Sequence, residues 1–195
     1  MKKLALIGTG KLGSIHYKYL KELSGDYSLA YIVDKDLESL DSLDISDSIG
    51  TFEAVEDLPD DTYAAFVVTP TDTHFKIGEL LLKKNINLFI EKPVCEKVED
   101  AERLKKLAEE KNKTIQVGHV ERFNPVIRYA SEIVDTPLLI KAERLAPFNI
   151  SGRIQDVGVI LDLMIHDIDI INHFVKSEID DTEPVGFSAF GRGND

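Results

Sequence analysis

Leu4-Ala5-Leu6-Ile7-Gly8-Thr9-Gly10-Lys11-Leu12-Gly13 decides the fold class. A short apolar run breaks directly into a GxGxxG pattern, and an amphipathic stretch from Ser14 to Ser24 follows it. GxGxxG alone is a weak signal, but a strand before it and a helix after it give the context of a dinucleotide-binding turn. Gly8 is expected to permit the tight turn, Gly10 to let the backbone approach a pyrophosphate, and Gly13 to let the helix pack on the strand. Lys11 and Leu12 complete the turn at the helix N-terminus, where backbone N–H groups favour anions. The same rule asks for an acid about 20 residues further on to accept from a ribose hydroxyl. Asp34 meets it, ending the apolar run Leu29-Ala30-Tyr31-Ile32-Val33.

The chain has 195 residues, 43% of them hydrophobic, which supports a packed core. Its net charge of −12 argues against a nucleic-acid partner. Eleven acids fall between Asp34 and Asp61, against Lys35 alone. Most of them belong to a solvated face, but the run begins at the expected ribose pocket. A 2′-phosphate would be repelled there, and no arginine follows Asp34 to receive it, so NAD is expected rather than NADP. No apolar run approaches the length of a membrane span. Met1-Lys2-Lys3 and the short run after it lack the length of a signal peptide. Cys95 is the single cysteine, which rules out an internal disulfide and a thiolate metal cluster and fits a cytoplasmic protein. Its expected place is an inert core thiol.

Strand and helix signals go on alternating. Ala64–Thr69, Asn87–Ile90 and Thr114–Gly118 read as strands, and Thr73–Lys84 and Val98–Asn112 as helices. That pattern predicts a parallel sheet covered on both faces, a Rossmann-type doubly wound α/β fold. Ligands of such sheets bind at the carboxyl ends of the strands. Three of those ends are marked: Thr69-Pro70-Thr71, Glu91-Lys92-Pro93 and Gly118-His119. Thr73 is expected as a helix N-cap with His74 in the first turn, and His16 as a packing residue. Beyond residue 119 the pattern changes to a helix over 124–134, a strand over 137–145, a strong helix over 158–175 and a last strand over 185–190. Residues 1–119 are therefore read as a cofactor-binding domain and 120–195 as the start of a second, incomplete α/β domain.

The late helix is apolar almost all round, the mark of a buried helix. Asp162, His166, Asp169 and His173 nevertheless fall on one face, at i, i+4, i+7 and i+11. Buried charge needs a partner or a wet cavity. For Asp169 and His173 a satisfied core pair is expected. Asp162 and His166 stand one turn apart, and a general base with its orienting carboxylate is the most economical reading. One metal ion cannot use all four, and no second liganding cluster is evident, so no metal is expected.

The glycine turn, Thr69-Pro70-Thr71-Asp72-Thr73-His74, Glu91-Lys92-Pro93 and Asp162-Leu163-Met164-Ile165-His166-Asp167 together resemble the Gfo/Idh/MocA oxidoreductase family, in order and spacing along nearly the whole chain. The resemblance implies that Lys92 and His166 act at a reacting hydroxyl, with Asp162 supporting the histidine. It implies an NAD site built from Gly8, Gly10, Lys11, Leu12, Gly13, Asp34, Thr69, Pro70, Thr71, His74, Glu91 and Lys92. Val117–Pro125 is similar to the subgroup that oxidises the 3-hydroxyl of UDP-N-acetylglucosamine, which would add His119, Arg122 and Asn124 to the substrate site. A nucleotide-sugar would engage one or two of Arg122, Arg128, Arg144 and Arg153 at its pyrophosphate, whereas a free sugar would need none. Members of the family continue past residue 195 into a broad sheet that covers the late helix and forms the subunit interface. A homo-oligomer, an exposed apolar face on the late helix, and a second domain truncated relative to the family are therefore expected. Two alternatives stay open: an NAD-binding sensor or subunit without catalysis, and a dehydrogenase or reductase of another polyol or small carbonyl substrate.

Overall fold

The computed structural model of the chain describes residues 1–36, 40, 43–145 and 158–186. The chain divides into two compact units, Met1–Gly118 and His119–Asp195.

In the first unit six parallel strands form one sheet. They are β1 (Lys2–Ile7), β2 (Tyr27–Val33), β3 (Gly50–Phe52), β4 (Thr62–Val67), β5 (Asn87–Glu91) and β6 (Ile115–Gly118), in the order β3-β2-β1-β4-β5-β6. The helices α1 (Lys11–Leu20), α2 (Thr71–Lys83) and α3 (Val98–Lys111) connect them. Side chains of β1 alternate between two cores, as the period of a strand requires. Ala5 and Ile7 join Val33, Val67, Leu81, Leu82, Ile90 and Leu104 on the face covered by α2 and α3. Leu4 and Leu6 join Tyr17, Leu20, Leu29 and Ile32 on the face covered by α1. This is the doubly wound sheet expected from the alternating pattern. Strand order reverses between β1 and β4, so the crevice for a ligand opens at the ends of those two strands.

The short edge strand β3 was not expected. Three residues, one of them glycine, carry no apolar run, and the strand exists because β2 offers it a ladder pairing Tyr31 with Gly50 and Val33 with Phe52. Helix α2 starts at Thr71 with Pro70 before it, so Thr73 is the third helical residue rather than the cap. Its hydroxyl donates to Pro70 O at 2.6 Å, closing the first turn from inside.

The second unit holds a 3₁₀ turn (Val120–Phe123), α4 (Pro125–Ile133), a π-helical turn (Ile160–Met164) and α5 (Ile165–Phe174). The strand expected over 137–145 does not form: those residues lie outside any ladder, and Leu138, Leu139 and Leu145 are almost fully exposed. Apolar alternation makes a strand only where a neighbour supplies hydrogen bonds. Val185 and Gly186 are not in a strand, and the rest of the expected 185–190 strand lies outside the described residues, as does Arg153. The late helix shows the exposed apolar face expected for it rather than the burial its composition alone suggested: Val159, Ile160, Met164 and Ile168 are exposed, and Asp169 is its one buried residue. Among the described residues no helix is long and apolar enough to cross a membrane.

Candidate functional site

The glycine turn is built by close approach. Gly8 has φ +90°, and a Cβ there would stand 2.7 Å from Val68 O and 2.9 Å from Thr69 Cγ2. Gly13 is tighter still, since a Cβ would lie 2.1 Å from Gly8 O. At Gly10 nothing lies within 4 Å, so this glycine faces open space, the space a pyrophosphate requires. Ser14 N donates to Gly10 O at 2.9 Å, which starts α1 directly out of the turn. Lys11 is exposed, whereas Leu12, in the first turn of α1, is half-buried against the core.

Asp34 lies at the end of β2, its own N–H donating to Phe52 O of β3. Its Oδ2 accepts from both the N–H and the hydroxyl of Thr9, each at 2.7 Å, and Oδ1 accepts from Asp36 N at 3.0 Å. Burial works to raise the pKa of this carboxyl, but the Thr9 and Asp36 hydrogen bonds outweigh it and hold Asp34 below the ordinary carboxylate value. A fixed, ionised acceptor at this place suits a ribose diol. The glycines and Asp34 therefore fit a dinucleotide. Thr9 was missed by sequence reasoning because it occupies a variable position of the pattern, although a hydroxyl in the turn can reach a carboxylate beside it.

At the end of β4, the Thr69 and Thr73 hydroxyls share a hydrogen bond of 2.7 Å, and Thr69 stands against Gly8. Pro70 is exposed and Thr71 half-buried at the start of α2. His74, expected at the cofactor, is enclosed. It is 1% exposed, and its ring nitrogens lie 2.9 Å from Pro93 O and 2.9 Å from Thr69 O. With its ring nitrogens against these two main-chain carbonyls, it ties the β4 end to the loop after β5. The Lys92–Pro93 peptide is cis. Lys92 is half-buried, and its backbone N–H donates to Glu91 Oε2 at 3.3 Å. Glu91 Oε1 accepts from His16 Nε2 at 2.8 Å. Burial pushes the Cys95 thiol up to about 11, so it stays protonated.

In the second unit Arg122 and Arg144 have carboxylate partners. Arg122 donates to both oxygens of Asp169, Nε at 2.7 Å and the terminal nitrogen at 2.6 Å. Arg144 makes three hydrogen bonds to Asp167, the shortest 2.8 Å. Arg122, expected at the substrate, here has an internal partner in Asp169. Asn124 is likewise the cap of α4, its Oδ1 accepting from Val126 N at 3.0 Å. His119 Nδ1 is buried 3.8 Å from Asp169 Oδ1, beyond hydrogen-bond reach. Asp169 takes its hydrogen bonds from Arg122, and His173 meets the Ser131 hydroxyl at 3.1 Å. Asp162 lies in the π-helical turn and His166 at the start of α5, both half-buried. Among the described residues no group of three or more His, Cys, Asp or Glu could hold a metal ion.

Burial alone would raise the Asp169 pKa, but the Arg122 hydrogen bonds win and hold it below the ordinary value. A depressed folded pKa gives stability that is complete above the unfolded value of about 4 and lost as pH falls through the folded one. Asp169→Asn should therefore flatten the acid limb of the melting temperature below about pH 4 without changing its slope near neutrality. An acid limb identical to that of the wild type would deny the pair any share in stability.

A family model for Gfo/Idh/MocA oxidoreductases, described by their NAD-binding Rossmann fold, matches residues 2–119. UDP-N-acetylglucosamine 3-dehydrogenase of Acidithiobacillus ferrooxidans is 33% identical over 188 residues, which are 96% of this chain and 58% of that protein. Its solved structure superposes with a TM-score of 0.82, covering 96% of this chain and 61% of the other. Inositol 2-dehydrogenase/D-chiro-inositol 3-dehydrogenase of Lacticaseibacillus casei is 29% identical over 90% of this chain and 54% of its own length. Scyllo-inositol dehydrogenase of Lactobacillus casei, solved with bound NAD(H) and scyllo-inositol, shares the fold at a TM-score of 0.73 and 24% identity, over 92% of this chain and 58% of that one. The chain thus spans little more than half the length of these relatives.

Proposed function

This chain belongs to the Gfo/Idh/MocA oxidoreductases, NAD-binding proteins of Rossmann fold, and from that premise we propose that it oxidises a sugar hydroxyl to a ketone with NAD, the 3-hydroxyl of a nucleotide-sugar such as UDP-N-acetylglucosamine. The observation that carries the substrate is the 33% identity to a UDP-N-acetylglucosamine 3-dehydrogenase over 96% of the chain. NAD, when bound, supplies the acceptor for the hydride. The protein's own work is to hold it and to manage the proton. The glycine turn leaves room for the pyrophosphate, and Asp34, kept ionised by Thr9, accepts from the adenosine ribose. The same carboxylate repels a 2′-phosphate, which favours NAD over NADP. His166 takes the hydroxyl proton as general base, and imidazole suits that task near neutral pH. Asp162 orients it. Lys92 stabilises the oxygen as negative charge grows on it.

A second reading has its own support. Arg122 and Arg144 are held by Asp169 and Asp167, which leaves fewer cations for a pyrophosphate. An uncharged polyol such as an inositol needs none, and an inositol dehydrogenase is among the relatives. Nicotinamide reduction followed by absorbance, with UDP-N-acetylglucosamine and scyllo-inositol side by side, separates the two. NADH formed with the nucleotide-sugar alone supports the first reading. NADH formed with the inositol alone supports the second, and no NADH with either, in a chain that binds NAD, supports a cofactor-binding protein without this chemistry.

A further inference from the structure

His16 was expected only to pack, yet its surroundings do more than packing needs. It projects from α1, the helix that leaves the glycine turn, and its ring lies 5.5 Å from Phe89 and 6.3 Å from Phe66, centroid to centroid. Those two phenylalanines stack on each other at 5.0 Å and fix the ring from below. So held, His16 Nε2 donates to Glu91 Oε1 at 2.8 Å, both side chains mostly shielded from solvent. The other Glu91 oxygen accepts from Lys92 N. The third wall is Gly118 at the end of β6, where a Cβ would stand 2.9 Å from that same oxygen. The carboxylate is thus set by three elements, α1, β5 and the vacancy of Gly118, and it holds the main chain at Lys92.

We infer that His16 is a positioning residue that fixes the Glu91-Lys92 turn against the helix of the glycine turn, and so sets the nicotinamide end of the cofactor site without touching the cofactor itself. The inference rests on the NAD reading above. It predicts a selective defect: the adenine half, held by the glycine turn and Asp34, should be indifferent to His16, whereas the nicotinamide half should not.

His16→Phe keeps a ring for Phe66 and Phe89 but removes the donor, while His16→Gln keeps a donor. Binding of NADH and of ADP-ribose, which lacks the nicotinamide, is measured by calorimetry on the wild type and both variants. The expected result is a loss of about tenfold in NADH affinity in His16→Phe, the size of one charge-assisted hydrogen bond. ADP-ribose affinity should stay within about twofold, and His16→Gln should recover most of the loss. Equal weakening of both ligands, no weakening of either, or a Gln variant no better than Phe would each overturn the inference. So would a wild type that binds NADH no better than ADP-ribose. A wild type that binds neither removes the NAD reading as well, which keeps the two failures apart.

Discussion

Lys92→Ala should lower turnover by about a thousandfold, the span observed when a group that stabilises developing oxyanion charge is deleted. Its NAD affinity should change by less than about threefold. The asymmetry follows from where the binding contacts are. On the proposed reading the pyrophosphate would meet the backbone at Gly8–Gly13 and the ribose would meet Asp34, whose carboxylate is held by Thr9 and Asp36. In the proposed role the ammonium would contribute only as the substrate hydroxyl loses its proton, an interaction made in the transition state, so kcat should fall and cofactor binding should not. The check is single-turnover NADH formation beside calorimetric NAD binding. Weakened NAD binding with residual turnover would reverse the assignment and make Lys92 a cofactor ligand rather than a participant in the chemistry.

The first unit was legible because each of its signals is local. The apolar run Leu4–Ile7, the glycines that follow and Asp34 each report a constraint within a few residues of themselves, and a parallel sheet is the one architecture that satisfies them in sequence. What sequence could not reveal is where a polar side chain finds its partner across the fold. His16 and Glu91 are 75 positions apart, and Arg122 and Asp169 are 47 apart. Periodicity set Asp169 on one face with His173, but the bidentate geometry of a guanidinium decided the pairing. The histidine in the first turn of α2 met the same fate, since two carbonyls at Thr69 and Pro93 claim its nitrogens. The strand expected at 137–145 failed for the complementary reason, because alternation describes a face and a ladder needs a neighbour.

The three glycines of the turn should separate into two kinds when each is replaced by alanine. Gly13→Ala puts a methyl 2.1 Å from Gly8 O, a backbone atom that cannot swing aside. Helix α1 must then lift from β1, opening the core that Tyr17 and Leu20 share with Leu4, Leu6 and Ile32. Overpacking of this severity should cost about 3 kcal/mol or more, a large share of a domain's stability, so melting falls by many degrees and NAD binding goes with it. Gly8→Ala adds a positive φ to a 2.7 Å contact with Val68 O and should behave the same way. Gly10→Ala meets nothing within 4 Å, so its melting temperature should match the wild type within about a degree or two. Its methyl nevertheless enters the space left for the pyrophosphate, and NAD affinity should drop by at least about thirtyfold, because the backbone N–H groups can no longer reach the phosphates. Thermal melting and calorimetry on the three variants decide the matter. If Gly10→Ala binds NAD like the wild type, the pyrophosphate does not lie over this turn. If Gly13→Ala melts like the wild type, the close contact of helix and turn is not what holds α1 in place.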